Sequence, residues 1–146
     1  MTEANHEMIR RVAAAQATLE EFRDKPFKMG ERDCVRMVAA HLRRLGYKVR
    51  LPAKGSYASV KTALKALRVR GFGTLADALD AMGLERVAPA ATLPGDIVQG
   101  ESADALGALG IVLSNGRLVG YHEHAPGAAV LQRLSLSAAW RVKLVA

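Results

Sequence analysis

One cysteine, Cys34, is all the sequence contains, which excludes an internal disulfide and with it the disulfide-dense secreted scaffolds. Long apolar runs are missing as well. Pieces such as Ala138-Ala139-Trp140 fall far short of the ~18 consecutive apolar residues a transmembrane helix needs. Residues 1–7 are polar and acidic rather than basic and then apolar, so no secretory leader is expected. Aromatic residues are scarce at 5%, and no stacking motif or groove-reading element accompanies them, which weighs against a nucleic-acid module. There is no internal repeat, low-complexity tract or linker. The loop at 88–94 is too short to divide domains, so residues 1–146 are expected to form one domain.

What is present is an ordinary globular composition, 50% hydrophobic and 24% charged over 146 residues, which excludes disorder as the default state. The net charge of +7 is unevenly spread. Residues 1–70 carry sixteen Lys/Arg against seven Asp/Glu, whereas residues 71–146 carry five against seven. A basic half suits polyanions or an acidic protein partner, and equally a solvated face kept for solubility.

Periodicity divides the chain at the same place. Met8, Val12, Ala15, Leu19 and Phe22 predict an amphipathic helix that ends near Asp24-Lys25-Pro26. Asp33 caps a second, with Cys34, Val38, Leu42 and Leu45 along one stripe and Gly46 as its stop. Tyr57, Val60, Leu64 and Leu67 make a third stripe opposite Lys61, Lys65 and Arg68. Thr74 caps a fourth through Leu75, Leu79 and Met82. Beyond Pro89 the period becomes that of strands, at 97–98, 109–113, 118–121, 130–134 and 140–145. Asn115-Gly116 reads as a hairpin turn with positive φ angles. Helices first and antiparallel strands afterwards predict an α+β domain.

Cys34 is the residue with chemical potential. At the first position of a helix its sulfur meets the positive end of the macrodipole, with Arg32 and Arg36 nearby, and all three favour a thiolate. The alternative is a small hydrophobe opening a core-facing stripe.

Phe27-Lys28-Met29-Gly30-Glu31-Arg32-Asp33-Cys34, followed by an apolar helix, resembles the nucleophile segment of NlpC-like cysteine peptidases, the bacterial branch of the papain-like superfamily. Pro94-Gly95-Asp96-Ile97-Val98 is similar to that family's strand-opening Pro-Gly-Asp. Leu109-Gly110-Ile111-Val112 ahead of Asn-Gly is similar to its next strand. The short phage-encoded members found beside tail-tip genes also end in a segment like Ala139-Trp140-Arg141. Over roughly residues 22–142 the resemblance implies a papain-like NlpC fold, N-terminal helices packed on a small C-terminal antiparallel sheet. It also implies a family activity of cutting peptide stems in peptidoglycan.

The chain departs from that pattern at two positions. Where the family has its general-base histidine, before the Gly-Ile pair, stands Ala108, and the orienting polar residue falls near Gly120. Loss of the acid/base group costs on the order of 10²–10⁴-fold, so the catalytic carry-over stops at Cys34. His41, two helical turns from Cys34 and so about 10 Å away, is excluded as a substitute, and nothing places His6 near the thiol. His122 and His124 are candidates for a replacement base, because they continue the strand of the orienting group and share one face. They also read as a polar strand end before Pro126-Gly127. As a metal pair His-x-His lacks further ligands, so neither metal nor cofactor is expected.

Three classes of function stay open at this level. The first is a phage tail-tip or tail-assembly component with weak or lost hydrolase activity, located in the virion after synthesis in the host cytoplasm. Its partners would be other tail-tip proteins, met through the basic surface of Arg43, Arg44, Lys61, Lys65 and Arg68. The second is an active cell-wall endopeptidase acting on peptidoglycan, and the third a basic nucleic-acid-binding module.

Overall fold

The structure, a computed structural model, describes residues 3–100, 107–121, 127–132 and 135–145. Its helices are α1 (Glu3–Phe22), α2 (Cys34–Arg44), α3 (Val60–Val69) and α4 (Leu75–Ala81). Strands β1 (Glu85–Val87), β2 (Ile97–Gly100), β3 (Ala108–Val112), β4 (Leu118–Tyr121), β5 (Ala128–Leu131) and β6 (Leu136–Arg141) follow. They pair antiparallel in the order β1-β6-β2-β3-β4-β5. The architecture is α+β, helices first and sheet second.

Local chemistry accounts for the helix starts. Asp33 caps α2 by accepting from the Arg36 N–H, and Thr74 caps α4 by accepting from the Asp77 N–H. Ser59 and Thr62 form a reciprocal capping box at α3, so that helix begins at Val60. Tyr57, expected within its stripe, precedes it as a buried loop residue. Helices α1 and α2 pack together, and α2 lies on β3. Leu19, Phe22, Met37, Leu42 and Leu45 from the helical side meet Ile97, Ile111, Val119 and Trp140 from the sheet, each burial worth roughly 1.5–3 kcal/mol. Strand alternation sends a second set the other way. Val87, Val98, Val112, Leu118, Leu131, Leu136 and Ala139 form a separate cluster to which all six strands contribute.

Several expectations shift by a few residues. Strand β1 carries no alternating pattern, its residues being exposed or half-buried, and it forms through its ladder with β6, where Arg86 faces Trp140. Strand β5 pairs from Ala128 rather than Val130, set by the register Tyr121↔Ala128. Strand β6 ends at Arg141 because the next N–H, of Val142, is taken by the Asp96 carboxylate. The Asn115-Gly116 turn also differs: only Gly116 has positive φ, in a three-residue loop closed by Leu113 N–H to the Arg117 carbonyl. Asn115 serves instead as acceptor for the Arg117 N–H.

The turn before β2 ties the layers together. Asp96 is fully buried, and its carboxylate accepts from the Arg11 guanidinium, Arg141 Nε (2.8 Å), and the backbone N–H of Leu93 (2.8 Å) and Val142 (3.0 Å). Arg11, itself buried, also donates Nε to the Pro94 carbonyl at 2.8 Å. Gly95 sits at φ +88, with Arg11 Cβ 3.1 Å from where its own Cβ would be, so helix α1 lies directly on this turn. From the other side, His41 Nε2 reaches the Gly95 carbonyl at 2.8 Å.

Two measurements test this arrangement. Asp96→Asn leaves the buried Arg11 charge uncompensated and should cost on the order of 3–5 kcal/mol in urea unfolding followed through Trp140 fluorescence. A loss below about 1 kcal/mol, the scale of an exposed pair, would show that the charge is not held as described. For His41, burial pushes the imidazole pKa down to about 4, so the ring is neutral in the fold while the unfolded chain protonates near 6.5. Stability is therefore complete above about pH 6.5 and falls as pH drops toward 4, by about 3 kcal/mol from this group. His41→Gln should flatten that slope by one proton, and an unchanged slope would count against a buried neutral ring.

Candidate functional site

The segment leading to Cys34 is a tight loop that presents one carboxylate. Lys28 and Arg32 exchange backbone hydrogen bonds, which folds residues 28–32 back on themselves. Gly30 holds φ +85, with the Tyr57 carbonyl oxygen 1.9 Å from where a Cβ would stand, so no other residue lets the two loops lie this close. Asp33 then gathers three donors: Arg36 N–H to Oδ1 (2.9 Å), and Gly30 N–H (2.8 Å) and the Tyr57 hydroxyl (2.9 Å) to Oδ2. The cap of α2 is thus also the fastening of the 53–57 loop. Burial, with the Asp33 charge beside it, pushes the Tyr57 hydroxyl well above its ordinary pKa. Tyr57 remains a donor throughout the physiological range.

Cys34 occupies the first turn of α2 and is half-buried. It lines a hollow of about 1110 Å³ together with Gly107, Ala108 and Leu109 at the start of β3 and Tyr121 at the end of β4. Ala108, matched by the resemblance to the general base, opens β3 as expected. Gly120 lies between Val119, in the main core, and Tyr121, with Leu131 Cδ1 3.2 Å from where a Cβ would project. The polar group nearest in sequence on that strand is Tyr121, which sequence reasoning missed. Burial, then the Asp33 charge, pushes its hydroxyl up to about 12. Phe27 meets its ring edge-on at 5.6 Å. The signal in the sequence was its period-two step from Val119, which turns it to the face of α2.

The two arginines expected to favour the thiolate direct hydrogen bonds elsewhere. Arg32 Nε donates to the Pro26 carbonyl at 2.9 Å. Arg36 Nη2 donates to the Pro52 carbonyl at 2.5 Å, and its guanidinium lies over the Tyr57 ring. On α2 itself the field of the helix N-terminus favours a thiolate and the Asp33 carboxylate opposes it. His41 is 0% exposed on the buried side of α2, bonded to Gly95, and no histidine lines the hollow among the described residues. His122 and His124 lie outside the described residues, directly after Tyr121. Among the described residues no group of three or more His, Cys, Asp or Glu could hold a metal ion.

The basic set divides in two. Lys61, Lys65 and Arg68 are exposed on α3. Arg43 and Arg44, exposed as well, also make local bonds: Arg43 Nη2 donates to the Val49 carbonyl at 2.6 Å, and Arg44 bridges Thr18 (2.8 Å) and Glu21 (2.5 Å) of α1. Position explains this, since the last turn of α2 faces both α1 and its own following loop. No helix of the described residues is long and apolar enough to cross a membrane.

Residues 9–142 match the family model described as a domain of unknown function, DUF6950, and the chain belongs to that family. No curated protein matches it.

A half-buried thiol in the first turn of a helix is expected to react with iodoacetamide in the folded protein at a rate comparable to that of a free thiol at the same pH. Alkylation as slow as that of a core cysteine would place the sulfur deeper than described.

Proposed function

We propose that this DUF6950 member is a structural or assembly component of a phage tail tip, built on a papain-like NlpC fold whose hydrolase activity is weak or lost. One observation carries the reading. Cys34 begins a helix that lies on β3, the arrangement the resemblance implies for a nucleophile, while the first residue of that strand is Ala108. A thiol is present without an imidazole at the matched position, and Gly120 supplies no orienting side chain on the next strand. Such a site can attack but has no matched group to protonate a leaving amine, which costs on the order of 10²–10⁴-fold. Fold alone does not confer activity, because chemistry resides in the site.

The reading places the protein in the virion after synthesis in the host cytoplasm, among other tail-tip proteins. Lys61, Lys65 and Arg68, exposed along α3, would steer and register acidic neighbours more than they add affinity. A nucleic-acid module is disfavoured by the scarcity of aromatic residues.

A second reading, an active peptidoglycan endopeptidase with a rearranged base, has one observation in its favour. Tyr121 shares the hollow with Cys34, and His122 and His124 are the next candidates along the chain. The two readings separate on purified peptidoglycan. The structural reading expects intact sacculi, with any trace of cleavage unchanged in Cys34→Ala. Turnover abolished by Cys34→Ala would replace it with the second reading, and His122→Ala and His124→Ala would then identify the base.

A further inference from the structure

The hollow beside Cys34 extends well past the thiol. Helices α3 and α4 make few close backbone approaches to the other elements, and the hollow runs between them, α2 and the 48–52 loop. Val38 and Leu42 of α2, Leu67 of α3, Phe72, and Leu79 and Met82 of the α4 region give it apolar walls. Its lining also includes Lys48, Arg50 and Arg70, all three exposed. Arg70 Nη1 donates to the Arg50 carbonyl at 2.6 Å, which holds the Arg70 guanidinium at the 48–52 end. The one carboxylate in the lining among the described residues, Asp33, is buried and already accepts three hydrogen bonds.

Size and charge together define an occupant. At about 1110 Å³ the hollow exceeds the ~300–1,000 Å³ of ordinary small-molecule sites, and it has room for several side chains of a polypeptide. Apolar walls with a cationic rim and, among the described residues, no free carboxylate complement a segment that is apolar along one face and acidic beside it. We propose that this groove docks an apolar, acid-flanked segment of a partner protein. The inference rests on the reading of the chain as an interaction module and names the chemistry of its partner. Cys34 contributes wall rather than chemistry, so docking does not require the thiol.

The test uses a fluorescein-labelled amphipathic Leu/Glu peptide, its Leu/Lys counterpart, and palmitate as an apolar anion without a peptide chain. Wild type should bind the Leu/Glu peptide, and not its Leu/Lys counterpart, by fluorescence anisotropy. Arg50→Glu combined with Arg70→Glu should weaken binding at least about tenfold. Ala66→Trp, which fills the groove, should abolish it. If Ala66→Trp fails to fold by circular dichroism, the charge-reversed variant, altered only at exposed positions, still decides. Equal binding of the Leu/Lys peptide, an unaffected charge-reversed variant, displacement of the peptide by palmitate at lower concentration than by unlabelled peptide, or no peptide binding would each overturn the proposal. Absence of binding by a protein that leaves peptidoglycan intact removes this inference alone. Thiol-dependent cleavage removes the parent reading instead.

Discussion

A buried carboxylate between two arginines is costly unless every lone pair is used, because two or three charges must leave water together. Asp96 meets that condition with four donors: Arg11 from α1, Arg141 from β6, and the N–H groups of Leu93 and Val142. Position matters as much as satisfaction. The Pro94-Gly95-Asp96 turn also exchanges backbone bonds with Val112 of β3 and receives His41 from α2. One turn therefore sets the distance from both long helices to the middle of the sheet.

The Cys34 region repeats this solution on a smaller scale. Asp33 is a cap, a fastening for Gly30 and the partner of Tyr57, so the loop before α2 and the loop before α3 share one acceptor. Helix α2 is held at its start by Asp33 and in its last turn by His41, which makes Cys34 a point on a rigid element. The thiol is thereby positioned well. Arg32 and Arg36 turn their hydrogen bonds to Pro26 and Pro52, and the nearest anion is the cap itself.

Much of this was legible in the sequence. Side-chain caps at Asp33 and Thr74 and the apolar stripe of α2 follow from short-range rules, and those elements lie where the residues place them. The misses have a common cause in long-range pairing. Arg11 reads as a solvated residue on an amphipathic helix, and nothing local reveals that its partner comes 85 positions later. Strand β1 has no pattern of its own and exists through β6. The end of β6 is decided by a carboxylate outside that strand. Within the site, Cys34 stood out by its cap, whereas Tyr121 and the groove between α2, α3 and α4 depend on how separate elements meet. Arg43 and Arg44 are exposed as read, but the sequence did not show their acceptors, Val49, Thr18 and Glu21, which become neighbours only on folding.

The reach of the Asp96 cluster has a kinetic side. Its bonds span 85 residues to Arg11 and 45 to Arg141, so it closes only after most of the chain has been threaded into place, and long closures slow folding. Synthesis from the N-terminus means that α1 leaves the ribosome long before its buried arginine has a counter-charge. Until the Pro94-Gly95-Asp96 turn before β2 has been made, the Arg11 face of that helix has no low-energy place in the interior. The first helix is thus left to wait for the turn that opens the sheet, and β6 completes the cluster through Arg141.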